Sequence, residues 1–244
     1  MTEHFIIMSS SYSKGTRIAL DITDKKDLMI DKDTDVVKYI KEKCGKDVSI
    51  SVHSFETESK EWECVVKHDP FFKDVKCIET LDKFCRIINQ DRVLKGLDVA
   101  KYIASKLRCT HLKLEKLVYF CYAEYLCNYS KKLFEDDIYA FAYGPVVKSV
   151  YEEFKGNGRE VIKRNELANK VAELPAESRI LFAEDGVEKL QSINATISKY
   201  GQYGATDLMN ITHKDDTPWK KTDSTKMYNI ISDEKIKKYH CNEI

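Results

Sequence analysis

Residues 110–126 read THLKLEKLVYFCYAEYL, and this stretch decides the fold of the second part of the chain. Its apolar residues recur every three or four positions, which is the period of an amphipathic helix. They are Leu114, Leu117, Val118, Cys121, Tyr122, Tyr125 and Leu126. Tyr119 and Phe120 widen this apolar stripe, so we expect the helix to be buried on more than one side. The hydroxyl of Thr110 is placed to cap its first turn.

A different pattern follows this helix. Residues 138–143 read IYAFAY, which is typical of an extended segment rich in aromatic side chains. Gly144 and Pro145 come next and are expected to turn the chain. Because proline fits the first turn of a helix, we predict that a helix begins at Pro145 and continues through Phe154.

The first 76 residues instead alternate between apolar and polar side chains, which is the period of half-buried strands. Short strands are predicted at 5–8, 17–22, 48–52 and 62–66, with a helix around 36–40 between the second and the third. A further helix is expected from Ile78 to Ile88. The resulting order, β-β-α-β-β-α, is that of a small α+β module.

The change of pattern predicts two domains and a tail. Residues 1–94 are assigned to an α+β accessory domain and residues 95–222 to a mainly α-helical domain. Residues 223–244 are assigned to a C-terminal tail, which is rich in lysine but carries enough aromatic and aliphatic residues to pack against the helical domain.

The charge balance excludes several classes of protein. The chain has 244 residues, with 40 basic and 40 acidic side chains and a net charge of zero. A groove for nonspecific nucleic-acid binding normally leaves a surplus of positive charge. A disordered charged tail leaves a surplus of one sign. Hydrophobic residues make up 43% of the chain, which is enough for a packed core.

The pattern also predicts where the protein works. No run of apolar residues approaches the roughly 18 needed for a membrane-spanning helix, so no membrane partner is expected. The first residues lack the basic segment of a secretory signal. We therefore expect a cytoplasmic protein whose eight cysteines are thiols.

Signatures of catalysis are missing from the sequence. It contains neither a Gly-x-Ser-x-Gly elbow nor a glycine-rich phosphate loop, and no Cys-x-x-Cys pair for a metal. No catalytic residue, metal or cofactor is therefore predicted. His213, with Asp215 and Asp216 close by, leaves one enzymatic alternative open, since a base beside carboxylates is the minimum for hydrolysis.

Further short blocks accompany the helix of residues 110–126. In chain order they are Leu133–Asp136, Ala142–Val147 with Val150 and Tyr151, and finally Leu208, Thr212–Lys214 and Pro218–Lys220. In this combination, residues 95–222 resemble the Panacea domain of the SocA-like, phage-associated antitoxin family. Glu115 stands where that family usually has a glutamine. The family also commonly has a tryptophan near the position of Phe141, and this chain does not. The first 90 residues resemble the variable accessory domains of some members.

The resemblance implies an antitoxin of a bacterial or prophage toxin–antitoxin system, which binds and suppresses a cognate toxin protein without being an enzyme. Two alternatives stay open. In the first, the protein is an adaptor that delivers the toxin to an ATP-dependent protease. In the second, it is an enzyme that reverses the toxin's modification through His213. Binding of operator DNA by the N-terminal module is an additional alternative.

The resemblance also marks residues for partner binding. They are Lys116, Tyr119, Tyr143, Gly144, Pro145, Tyr151, His213, Pro218 and Trp219. The simplest interpretation is structural: Tyr143-Gly144-Pro145 makes a turn, and the tryptophan and histidine pack against neighbouring backbone. In the alternative interpretation, Lys116, Tyr119, Tyr143 and His213 share a polar pocket that receives a side chain of the toxin. Neither interpretation identifies the toxin.

Overall fold

A computed structural model describes residues 1–23, 33–163, 175–225 and 228–243. The chain divides into two compact units, Met1–Arg92 and Val93–Ile244. The first is rich in strands and the second is mostly helical, so the predicted fold class is confirmed.

The N-terminal unit is built on a four-stranded sheet. Its elements are β1 (Thr2–Ser11), β2 (Thr16–Ile22), α1 (Asp33–Cys44), β3 (Ser51–Thr57), α2 (Trp62–His68), a 3-10 turn (Pro70–Phe72), β4 (Lys76–Cys77) and α3 (Leu81–Arg92). The strand order is β3-β1-β2-β4. Strand β1 is antiparallel to both β2 and β3, whereas β2 and β4 are parallel.

Each face of this sheet has its own core, because successive side chains of a strand point to opposite faces. On one face, Phe5 and Ile7 of β1 pack against residues of α1 and α3, such as Ile40 and Phe84. On the other face, Ile6 and Met8 pack with Val65 of α2. Alternation in β1 thus places helices on both sides of the sheet.

The prediction of a strand at residues 62–66 is wrong, since these residues begin α2. Trp62, Val65 and Val66 lie on one helical face and pack in the core below the sheet. Their spacing of three and four fits a helix, while Trp62, Cys64 and Val66 fit a strand equally well. The fourth strand is instead the short β4, which follows α2, so the observed order is β-β-α-β-α-β-α and includes a helix that was not predicted.

The C-terminal unit consists mainly of helices and contains one hairpin. Its elements are α4 (Gly96–Lys106), α5 (His111–Tyr129), β5 (Ile138–Phe141), β6 (Gly144–Val147), α6 (Lys148–Phe154), a 3-10 turn (Lys155–Asn157), α7 (Ala176–Leu181), α8 (Gly186–Tyr200), α9 (Ala205–Thr212), α10 (Asp233–Tyr239) and a closing 3-10 turn (His240–Glu243).

Helix α5 is the centre of this unit. As predicted, the hydroxyl of Thr110 accepts a hydrogen bond from the backbone N–H of Lys113 and caps the helix. Helices α4, α8, α9 and α10 and strand β6 all contact α5. Its buried residues go round the whole helix, from Leu114 to Leu126. The helix is therefore enclosed, and its side chains carry the core.

The prediction that a helix begins at Pro145 is wrong. Strand β5 and β6 form an antiparallel hairpin in which Ala140 is opposite Pro145, and the next helix begins at Lys148. The turn consists of Ala142 and Tyr143. Proline is tolerated in β6 because a hairpin strand needs backbone donors on one side only.

The last residues of the chain pack onto the same unit. Backbone hydrogen bonds join Ala140 N–H to the carbonyl of Asn229 and Ile231 N–H to the carbonyl of Ile138, and so extend the hairpin. Helix α10 then contacts α5, where its Ile236 is buried. The described residues 228–243 are thus docked on the helical unit.

Candidate partner-binding site

Lys116 fixes the hairpin to the central helix. Its side chain is 0% exposed, and its Nζ donates a hydrogen bond of 2.8 Å to the carbonyl of Pro145. Burial lowers the pKa of this amine to about 8, although the carboxylate of Glu115, 3.8 Å away, acts in the opposite direction. A buried amine bonded to a carbonyl is a structural tether and is closed to solvent.

Gly144 is required where the hairpin passes over this lysine. Its φ of +107° lies in the region that side chains rarely adopt. A Cβ at this position would lie 2.9 Å from both Lys116 Cε and Thr212 Oγ1. At Gly144, strand β6 therefore lies closer to α5 and α9 than a residue with a side chain would permit.

His213 and Trp219 hold the turn of the hairpin from its other side. Their rings are in contact, with centroids 3.7 Å apart. The indole N–H of Trp219 donates to the carbonyl of Phe141 at 2.8 Å. The His213 Nδ1 lies 2.7 Å from the carbonyl of Met209, and its Nε2 lies 3.3 Å from that of Ala142. Pro218 is buried beside Trp219. We call His213, Pro218 and Trp219 the clamp of the hairpin.

The clamp bears on the enzymatic alternative. Both ring nitrogens of His213 face backbone carbonyls, which only accept hydrogen bonds. Asp215 and Asp216 are exposed, and Asp216 pairs with Lys221 at 2.5 Å. Within the described part of the chain, His213 therefore has no carboxylate beside it to act with it as an acid–base pair.

The predicted pocket does not assemble. Lys116 and His213 both meet the hairpin, but Tyr143, at its turn, is 68% exposed and faces solvent. Tyr119 is buried, and its hydroxyl donates to Glu243 Oε2 at 2.8 Å, beneath the C-terminal turn. Most of the marked residues thus form a frame for the hairpin, and Tyr143 is exposed at its tip. Tyr119 lies beneath the C-terminal turn, and Tyr151 lies on α6.

Tyr119 belongs to a buried polar network that the sequence did not indicate. Its partner, Glu243, also accepts from Nδ1 of His240 at 2.6 Å. The Nε2 of His240 lies 3.7 Å from Glu124 Oε1, which in turn accepts from Lys199 and Tyr200. His240 and Glu243 are almost fully buried, yet they lie in a polar, lysine-rich tail with no periodic signal.

Charge coupling in this network shifts three pKa values. Burial alone would lower the pKa of His240, but the carboxylates of Glu124 and Glu243 outweigh it and raise that pKa. Contact with His240 lowers the pKa of Glu124 to about 2. Burial raises the pKa of Glu243, against the effect of His240. Glu124 and Glu243 therefore stabilise the protonated form of His240.

The outer side of the hairpin presents a cluster of rings, which we call the aromatic surface: Tyr139, Phe141, Tyr151 and Tyr228. Phe141 contacts Tyr151 edge to face at 5.3 Å and Tyr228 at 5.8 Å between centroids. Tyr139 contacts Tyr228 in the same way at 5.8 Å. Alternation in β5 explains the arrangement, because Ile138 and Ala140 point into the core.

The aromatic surface is partly exposed and carries a cation. Tyr228 is 42% exposed, and the nearby Ile230 is 45% exposed. The Nζ of Lys148 lies 4.7 Å from the ring centroid of Tyr228. Of this surface the sequence marked only Tyr151 for partner binding. Tyr139 and Phe141 lie in the segment predicted to be extended, and Tyr228 is one of the aromatic residues of the tail that was expected to pack, whereas Lys148 had no signal.

Two kinds of site are not found among the described residues. No group of histidine, cysteine, aspartate and glutamate side chains there has the geometry to hold a metal ion. None of the helices described is both long enough and apolar enough to cross a membrane.

Comparison with known proteins gives two findings. The family described as "Antitoxin SocA-like, Panacea domain" matches residues 114–220. The chain is also similar to "Antitoxin SocA" of Caulobacter vibrioides, with 24% identity over 132 residues, which cover 52% of this chain and 67% of that protein. No solved structure matches the chain. The matched region begins within α5 and contains the hairpin and its clamp.

Proposed function

We propose that this chain, which carries a SocA-like Panacea domain at residues 114–220, is the antitoxin of a bacterial or prophage toxin–antitoxin system. The match to that domain is the observation that carries the proposal. Similarity to the antitoxin of Caulobacter vibrioides supports it independently of the domain boundaries. The protein acts in the cytoplasm on a cognate toxin.

Neutralisation occurs by direct binding and without catalysis. Buried and clamped groups support this mechanism, because the polar residues of the motif are used to hold the hairpin. Lys116 and His213 are both bound to backbone carbonyls. The hairpin and the segment paired with β5 expose aromatic side chains to solvent, at Tyr143 and Tyr228. Exposed tyrosines are typical anchors of protein–protein interfaces.

Co-expression with the gene adjacent to its own tests the function. Toxicity of that gene product is expected to disappear when this chain is co-expressed, and the two proteins are expected to elute as one complex in gel filtration. Absence of both rescue and complex contradicts the proposal. His213→Ala separates binding from catalysis, since an enzyme would lose rescue while keeping the complex.

Delivery of the toxin to an ATP-dependent protease and binding of operator DNA stay predictions from the family resemblance. Toxin levels in cells with and without the protease distinguish delivery from masking, because only delivery makes the toxin disappear. A gel shift with the promoter of its own operon tests whether the N-terminal unit, residues 1–92, contributes DNA binding.

A further inference from the structure

The aromatic surface is preorganised in a way that a solvated group of side chains is not. Its rings come from three separate segments, with Tyr139 and Phe141 on β5, Tyr151 on α6 and Tyr228 after the domain. Edge-to-face contacts at 5.3–5.8 Å fix the rings against one another. Rings already held in place lose little conformational entropy when a partner covers them.

Backbone strain at Tyr228 supports a role for this ring beyond packing. Its φ is +61°, in the left-handed region, which is unfavourable for a residue with a side chain. The neighbouring hydrogen bonds of Asn229 and Ile231 to β5 hold the backbone in this conformation. The ring it positions is nevertheless 42% exposed, so burial in this chain does not offset the whole cost.

The charge of the surface differs between its two sides. Near Tyr139, burial and the carboxylate of Asp137 raise the pKa of the phenol, so this side is acidic. On the other side, Lys155 is paired with Glu152. Lys148 faces Tyr228, and among the described residues it has no carboxylate within ion-pair distance. An unneutralised ammonium remains at that side of the rings.

We propose that the aromatic surface and Lys148 form the docking site for the partner toxin, and that the toxin contributes a segment with a carboxylate flanked by apolar side chains. The carboxylate pairs with Lys148, and the apolar side chains cover Phe141 and Tyr228. The site rests on the proposed function, since it assigns a surface to the same partner. It excludes the clamp of His213 and Trp219 from direct contact.

Two variants test the site by different routes. Tyr228→Ala removes the exposed ring of the surface. Lys148→Glu reverses the charge while leaving every ring in place. The matched controls are Tyr203→Ala, which removes another tyrosine of similar exposure, and Lys238→Glu, whose ammonium lies 5.1 Å from the ring centroid of Tyr239. Full-length proteins are used, and circular dichroism and thermal midpoints establish that each variant is folded.

Affinity for the purified product of the adjacent gene is measured by calorimetry at low and high salt. We expect Tyr228→Ala to weaken binding at least tenfold, as interface tyrosines do. Lys148→Glu should weaken it more at low salt than at high salt. Both controls should stay within about twofold of the unaltered protein, as expected of residues outside an interface.

The outcomes separate the two proposals. Equal binding by all variants overturns the docking site and leaves the antitoxin function intact. Failure of the unaltered protein to bind removes both. If Tyr228→Ala fails to fold, the salt dependence of Lys148→Glu decides alone, because loss of affinity without that dependence contradicts the assigned ion pair.

Discussion

Replacing His240 with alanine is expected to destabilise the helical unit, because it removes a donor from the buried carboxylate of Glu243. Glu243 is 1% exposed, and among the described residues His240 and Tyr119 donate to its carboxylate. Removing one partner of a buried ion pair costs about 3–5 kcal/mol. We therefore expect a loss of about 3 kcal/mol, the lower limit of that range.

The assay is urea unfolding of the full chain followed by tyrosine and tryptophan fluorescence. A double variant, His240→Ala with Glu243→Gln, provides the control. It removes the uncompensated charge and is expected to recover more than half of the loss. A loss below about 0.5 kcal/mol in His240→Ala, the size of an ordinary surface substitution, refutes the buried ion pair.

The same network predicts how stability depends on pH. The folded pKa of His240 is raised, so its contribution is complete below the unfolded value of about 6.5 and is lost as the pH rises through the folded value. The difference in unfolding free energy between the unaltered protein and His240→Gln should therefore shrink from pH 6 to pH 8. A difference that is constant or grows contradicts a protonated His240.

Three further substitutions test the hairpin by urea unfolding. Gly144→Ala should cost about 1–3 kcal/mol, because φ is +107° and the added Cβ meets Lys116 Cε at 2.9 Å; a neutral result would show that the strand can shift. Lys116→Met keeps the length of the side chain but leaves the buried carbonyl of Pro145 without its donor, at a cost of about 1–3 kcal/mol; an unchanged midpoint would mean that water replaces the amine. Tyr143→Ala should change stability by less than about 0.5 kcal/mol, because the ring is 68% exposed, and a larger loss would place this ring in the core.

Helix α5 could be predicted in type, start and burial because many residues agree on it. Its apolar spacing is continuous from Leu114 to Leu126, and Thr110 adds a separate signal at the N-terminus. Residues 62–66 have four apolar positions, of which one set of three fits a strand and another fits a helix, and packing below the sheet decided for a helix. A local pattern decides between strand and helix only where it is long enough to distinguish a period of 2 residues from a period of 3.6.

The residues that hold the hairpin could be predicted from the sequence, but the exposed aromatic surface could not. The sequence marked Lys116, His213 and Trp219, which do meet at the hairpin, but Pro145 is compatible with a helix start and with a strand. The amine of Lys116 decides between them, since it binds the Pro145 carbonyl from 29 residues away. Tyr228 is brought to β5 by pairing across a still longer separation, which no local pattern encodes.

The side chains of strand β5 lie alternately on its core face and on its outer face. Ile138 and Ala140 face the core that α5 organises, while Tyr139 and Phe141 face outward. Substitutions at the outward positions, together with Lys148 and Tyr228, leave the inward framework untouched. A library randomised at these four positions could therefore be selected for new toxin specificities on an unchanged scaffold, so that this hairpin serves as a starting point for engineered neutralising proteins.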